Sequence, residues 1–402
     1  LRQIFGMLIL LNVALALAQV AAAPLVAAYY GQPMVADLLR VQALIYLTNP
    51  FMALGYAVLS RRMDFRRQAQ VNLASGLLSA VAALAGALGG LGVWTLVLAP
   101  LVGFGTRAFG TALAAGTFIL PSFDFRGAWG LARYGGIVTV GQFFWFLQTQ
   151  IDIVIGGRAF SPHELGIYTT SLFLIQLFVN KFVPPVNEVA FSAYARVQDD
   201  GASVRHGFLK SIRIIMLAGM PFFLGLGASS QAAVAVVLGG KWAETAPIIT
   251  LLGFAMPFMT LQVILGPTVN ALGRPGIYLR LSIIGAAMLP AAFLVGVNWG
   301  LTGMALAWVV GYPVLVAIST IWALPVVGVS PRDFLRAIAP PMLAALAMFL
   351  IVRIADGALP EMRPLARLAI LVATGAAVYG LWLLGFARER LAELADLVRR
   401  KG

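Results

Sequence analysis

Long apolar runs, separated by short clusters of basic and turn-forming residues, recur from Ile4 to Phe386 almost without interruption. A bilayer core about 30 Å thick requires about 20 apolar residues per helix, so each run predicts a membrane-spanning helix. The pattern predicts about twelve: residues 4–28, 36–60, 68–89, 93–117, 134–156 and 165–186, then 211–237, 246–271, 278–297, 300–324, 335–354 and 366–386. The expected fold class is an all-α polytopic membrane protein.

Composition sharpens this picture. Of 402 residues, 61% are hydrophobic and 11% charged, and the mean hydropathy is +0.92; soluble domains carry about 25% charged residues. A net charge of +13 would suggest nucleic acid in a soluble protein. Here the basic residues lie between apolar runs, where they set orientation, and no nucleic-acid partner is expected. Twenty Lys and Arg fall on the side that holds Arg61, Arg62, Arg66 and Arg67, against six on the other, which includes Arg158 and Lys241. By the positive-inside rule both ends of this chain are cytoplasmic. Outward loops such as Gly89-Gly90-Leu91-Gly92 and Asn298-Trp299-Gly300 are too short to house an extracytoplasmic domain. After the last run, residues 388–402 place Leu391, Leu394, Leu397 and Val398 on one helical face, the pattern of an amphipathic tail on the membrane surface.

The chain also repeats. Pro50-Phe51-Met52-Ala53-Leu54 recurs as Pro257-Phe258-Met259-Thr260-Leu261 at an offset of 207, and Gly90-Leu91-Gly92 recurs as Gly300-Leu301-Thr302 at 210. Between these landmarks both copies carry a basic turn, Arg61 to Arg67 and Leu272-Gly273-Arg274-Pro275. An even number of crossings separates the copies, which predicts parallel repeats and a two-lobed bundle able to open alternately to each side. The expected organisation is a first lobe over residues 1–120 with four spans, a cytoplasmic connection over 121–133, a second lobe over 134–325 with six spans, a helix pair over 326–387 and the tail over 388–402. The fifth and sixth spans have no upstream counterpart, so two further helices are expected before Leu1, for a total of fourteen.

Candidate chemistry is sparse. Cysteine is absent, the two histidines lie in loops, and Gly240-Lys241-Trp242 lacks the spacing of a nucleotide loop, so no metal site, no cofactor and no enzyme activity are expected. Charges within spans are more informative, because placing one in hydrocarbon costs about 3 kcal/mol even on the mildest scale. Arg107 and Lys181 could hold the phosphates of an anionic substrate, and Asp152 could serve a coupling proton or cation; snorkelling or a structural ion pair is the competing account. Gln148 and Gln150, near Trp145 and Phe146, suit sugar binding, although interhelical hydrogen bonds explain such residues equally well.

Several motifs together carry a family resemblance. Arg61-Arg62-Met63-Asp64-Phe65-Arg66 followed by Gly90-Leu91-Gly92-Val93-Trp94-Thr95-Leu96-Val97 resembles the first lobe of bacterial polysaccharide repeat-unit flippases of the multidrug, oligosaccharidyl-lipid and polysaccharide exporter (MOP) superfamily. Leu165-Gly166-Ile167-Tyr168, Ala195-Arg196-Val197-Gln198-Asp199-Asp200, Gly239-Gly240-Lys241-Trp242 and Ala271-Leu272-Gly273-Arg274 follow in the family's order. The resemblance implies a two-lobed bundle, commonly of fourteen helices, around a cationic cavity. It also implies a bacterial inner-membrane location and translocation of undecaprenyl-pyrophosphate-linked oligosaccharides for capsule, exopolysaccharide or O-antigen. Expected partners are the lipid-linked oligosaccharide, membrane lipids, and a polysaccharide polymerase with its assembly proteins. The alternatives are a cation-coupled multidrug exporter of the same superfamily and a non-transporting scaffold of a polysaccharide assembly complex.

Overall fold

The computed structural model describes residues 2–117, 119–125, 129–196 and 200–386; the expected amphipathic tail over 388–402 lies outside the described residues. Among the described residues the regular structure is helical, with no strand. The helices are α1 (Arg2–Tyr30), α2 (Met34–Gln42), α3 (Leu44–Arg61), α4 (Phe65–Leu88), α5 (Thr95–Ala115), α6 (Trp129–Ala159), α7 (Pro162–Arg196), α8 (Gly201–Ala228), α9 (Ser230–Val237), α10 (Thr245–Ala271), α11 (Pro275–Gly296), α12 (Gly300–Val327), α13 (Pro331–Ala358) and α14 (Pro364–Phe386). Ten segments among the described residues are long and apolar enough to cross a membrane, with α11 and α12 forming one continuous segment, Gly276–Val327. Helix α6, which carries three glutamines and Asp152, is not among the ten. The chain is a multi-pass membrane protein, as its apolar runs require.

The chain divides into two compact units, Leu1–Gly136 and Ile137–Gly402. In the first, α5 packs on both α3 and α4, and α1 packs on α2 and α3. Close approach is bought with small residues: a Cβ on Gly55 would stand 2.8 Å from the Thr111 carbonyl oxygen, so α3 and α5 meet backbone to backbone there. An amide pair adds specificity, half-buried Asn49 Nδ2 donating to buried Asn12 Oδ1 at 3.0 Å across α1 and α3. The segment after α5 returns to the start of α1, where Ser122 N–H donates to the Arg2 carbonyl at 3.0 Å.

In the second unit α10 is the central element, packed against α7, α8 and α12, while α13 packs on α8 and α14 on α13. Its core includes Phe208, Met216, Phe223, Leu252, Met256, Leu289 and Phe293, all fully enclosed. The last helix pair is tied to this core: Tyr379 OH donates to the Leu217 carbonyl at 2.9 Å.

The internal repeat is visible in backbone detail. In the first copy the N–H groups of Arg62, Met63 and Asp64 donate to the carbonyls of Val58, Ser60 and Leu59; in the second, Leu272, Gly273 and Arg274 donate to Thr268, Asn270 and Val269. Every donor and acceptor is displaced by 210. Met63 and Gly273 are both left-handed, with φ of 57° and 70°. Gly86 and Gly296 share the same offset and the same role, since a Cβ on either would crowd the start of the following helix, 2.8 Å from Thr95 Oγ1 and 2.5 Å from the Gly303 carbonyl oxygen. The proline landmarks do not keep this register. Pro257 lies about one helical turn farther from its turn than Pro50 does from its own, because the matching stretches are offset by 207.

Candidate functional site

A buried polar cluster in the second unit is built from α6, α7 and α12. Gln148 and Asp152 are four residues apart on α6, hence on one face, and each is 1% exposed. Tyr168, in the second turn of α7, donates its hydroxyl proton to Asp152 Oδ2 at 2.8 Å. Trp308 of α12 donates Nε1–H to the Tyr168 oxygen at 2.7 Å. The indole in turn stacks on Tyr312, one turn along α12, with ring centroids 4.8 Å apart and planes 9° from parallel. All three aromatic residues are fully buried. Phe293 of α11 closes the apolar side, 5.6 Å from Trp308 between centroids.

This network is only partly satisfied. Asp152 Oδ1, both amide atoms of Gln148 and the Tyr312 hydroxyl are buried and have no hydrogen-bond partner among the described residues. The Gln148 amide approaches the Tyr312 hydroxyl without attaining hydrogen-bond geometry. Each unpaired polar group costs about 1–3 kcal/mol where water cannot reach it, and such groups require a physical reason. Room for the glutamine exists only because α11 presents Gly285 to it; a Cβ there would collide with Gln148 Oε1. The arrangement gathers buried oxygen acceptors on facing helices, a chemistry that suits a proton, a small cation or a water molecule.

The residues singled out from sequence are distributed as follows. Gln148 and Asp152 share the buried face just described, whereas Gln150 lies two residues on, about 200° around α6, and is half-buried with no polar partner among the described residues. Lys181 is exposed on α7, thirteen residues and therefore about 20 Å along the helix from Tyr168. Arg107 belongs to the first unit, on α5; it is half-buried, and its guanidinium has no carboxylate partner among the described residues. The structure thus brings Asp152 together with Gln148 and separates both from Lys181. Sequence reasoning missed Trp308 and Tyr312 entirely and read Tyr168 only as part of a motif. The available signal was that a buried Tyr or Trp within a span needs a partner for its O–H or N–H.

Comparison with known proteins agrees with this architecture. The family described as polysaccharide biosynthesis protein is matched over residues 1–247, and the chain belongs to that family. The chain is 25% identical over 378 residues to the succinoglycan biosynthesis transport protein ExoT of Rhizobium meliloti, covering 92% of this chain and 76% of ExoT. It is 24% identical over 263 residues to the teichuronic acid biosynthesis protein TuaB of Bacillus subtilis, covering 63% of this chain and 52% of TuaB. Among solved structures, the lipid II flippase MurJ in its inward closed conformation superimposes with a TM-score of 0.72 at 14% identity, covering 97% of this chain and 84% of MurJ. The fold is therefore that of a MOP-type flippase.

Proposed function

From membership of this family, we propose that the protein translocates oligosaccharide repeat units linked to undecaprenyl pyrophosphate across a bacterial inner membrane, by alternating access and without covalent chemistry. The ends of this chain face the cytoplasm in this proposal, in keeping with the distribution of Lys and Arg. The observation that carries the assignment is Arg107, a guanidinium within an apolar helix that no carboxylate among the described residues neutralises. A charge held at this cost without an internal partner is suited to an external anion, and its planar fork matches a pyrophosphate. Lys181 supplies a second cation and Gln150 a sugar contact. Asp152 serves a coupling ion or proton, and its unpaired Oδ1 beside the unpaired Gln148 amide supports grouping Gln148 with it. Tyr168 and Trp308 hold the carboxyl in place.

The test is leaflet-resolved transport in proteoliposomes loaded with undecaprenyl-pyrophosphate-linked oligosaccharide, scored by enzymatic access to the sugar from outside. Arg107→Ala is expected to slow exchange by at least tenfold, Lys181→Ala by less, and Asp152→Asn to remove any response to an imposed ion gradient. Unchanged exchange by folded Arg107→Ala protein would overturn the substrate assignment. Export of cationic drugs with no movement of the lipid-linked sugar would favour the multidrug alternative.

A further inference from the structure

The two copies of the repeated turn differ in chemistry. In the first, the Asp64 carboxylate caps α4 by accepting from the Arg67 N–H at 3.1 Å, and lies 3.3 Å from the Arg67 guanidinium. Arg62 and Arg67 then reach the end of α5, donating to the carbonyls of Ala115 and Ala114 at 3.1 and 3.2 Å. These are the terminal carbonyls that helix geometry leaves without partners. In the second copy, at the offset of 210 fixed by the backbone hydrogen bonds, Asp64 is replaced by Arg274, Arg62 by Leu272 and Arg67 by Ile277. An acid becomes a base, and two long arginines become short apolar side chains.

Two consequences follow in the structure. Helix α11 begins with no side-chain cap, and a cavity of about 460 Å³ opens between Leu272, Arg274, Ile277 and the end of α12 at Pro325 and Val326. One turn farther along both helices the Arg280 guanidinium lies over the Trp322 ring, 5.5 Å from its centroid. Arg274 and Arg280 are both exposed, and neither has a carboxylate partner among the described residues. The cavity is therefore lined by one uncompensated guanidinium, that of Arg274, with a second, that of Arg280, one helical turn along, where the first copy holds an internal carboxylate.

We propose that this cavity binds the phosphate of an anionic phospholipid, which takes the place that Asp64 fills in the first copy. The two guanidinium groups match phosphate oxygens in charge and planarity. The walls formed by Leu272, Ile277, Pro325 and Val326 suit the glycerol and the first acyl carbons, which a free phosphate would leave empty. The turn stands at the end of two apolar helices, the depth at which headgroups lie. The site shares no residue with the translocation site proposed above, and its test does not depend on transport.

The test uses purified full-length chain in micelles, with binding of fluorescent phosphatidylglycerol measured against phosphatidylcholine, and inorganic phosphate as competitor. At about 1 kcal/mol per basic residue, Arg274→Gln with Arg280→Gln is expected to weaken phosphatidylglycerol binding about thirtyfold and to leave phosphatidylcholine unchanged. A second variant, Leu272→Arg with Arg274→Asp and Ile277→Arg, copies the first turn into the second and is expected to abolish preferential binding while melting no lower than the parent. This variant carries the test if the first does not fold. Equal binding of the two lipids by the parent, retained preference in the copied turn, or displacement by millimolar inorganic phosphate at equal affinity would each overturn the proposal.

Discussion

Tyr168→Phe is the most informative single change, because it removes one oxygen atom and almost no volume. That oxygen accepts from Trp308 Nε1 at 2.7 Å and donates to Asp152 Oδ2 at 2.8 Å, so its loss strands a buried donor and a buried acceptor together. The ring stays in the core cluster it shares with Leu172 and Ile175, so the packing contribution to the change is close to zero. A neutral interhelical hydrogen bond in a membrane protein contributes about 0.6 kcal/mol on average, whereas a bond to a charged group contributes about 1.5–3 kcal/mol. Together the expected loss is about 2–4 kcal/mol, read from reversible unfolding in mixed micelles. Asp152→Asn in the same background isolates the coupling, expected at about 1–2 kcal/mol because the amide demands less of a donor than the carboxyl does. A Tyr168→Phe protein within about 0.5 kcal/mol of the parent would refute the reasoning, since the three-residue chain would then add nothing to stability.

Four further outcomes are expected. Gly285→Ala forces Gln148 out of its slot and should cost about 1–3 kcal/mol, and the loss should be recovered in a Gly285→Ala, Gln148→Ala double variant measured by the same unfolding assay. Asp356 is 7% exposed and accepts from Arg367 Nε at 2.6 Å, so Arg367→Gln should lower the melting temperature, and Asp356→Asn should restore part of it. Gly273→Ala should destabilise by about 1 kcal/mol because its φ of 70° is left-handed, while Met63→Gly at the matching position should be neutral or stabilising. Hydrogen bonds from Ser203 hold the Asp200 carboxyl below the ordinary aspartate range; a depressed folded-state value gives stability above that range that fades as pH falls through it. Asp200→Asn should therefore flatten the acid limb of a melting-temperature profile.

Much of the architecture was legible because lipid leaves a chain few options. A backbone in hydrocarbon must satisfy its own hydrogen bonds, so each apolar run had to become a helix, and all twelve expected runs fall on helices. The turns were legible for the same reason: Arg61 to Arg67 and Leu272 to Pro275 interrupt hydropathy with charge, glycine and proline. The polar site was legible only in part. Asp152 and Gln148 announced themselves as costly residues in an apolar context, yet nothing in their spacing distinguished them from Gln150 until α6 acquired a buried face. Their partners were invisible, since Trp308 and Tyr312 sit in a strongly apolar helix and read as packing or as interfacial aromatics. Tyr168 reaches Asp152 only because α6 and α7 form a tight hairpin around Ser161, a contact sixteen residues apart that hydropathy does not encode.

The repeat explains where such sites arise. At the offset of 210 the positions of Trp308 and Tyr312 are Leu98 and Val102 in the first copy, so the polar ladder to Asp152 has no counterpart there. The same offset turns a self-neutralised arginine turn into a cavity lined by Arg274, with Arg280 one helical turn along. Features that both copies retain, the left-handed turn residue and the close glycine of Gly86 and Gly296, serve helix entry and packing. The polar ladder and the cavity, which only the second copy has, are paired with unsatisfied atoms or uncompensated charge, which packing alone would have no reason to keep. Substitutions that make the second copy match the first should thus leave stability intact and remove what the second copy alone does, whereas changes at the left-handed turn residue both copies keep should act on the fold: the contrast between Gly273→Ala, which harms the fold, and the copied arginine turn, which spares it, measures that distinction directly.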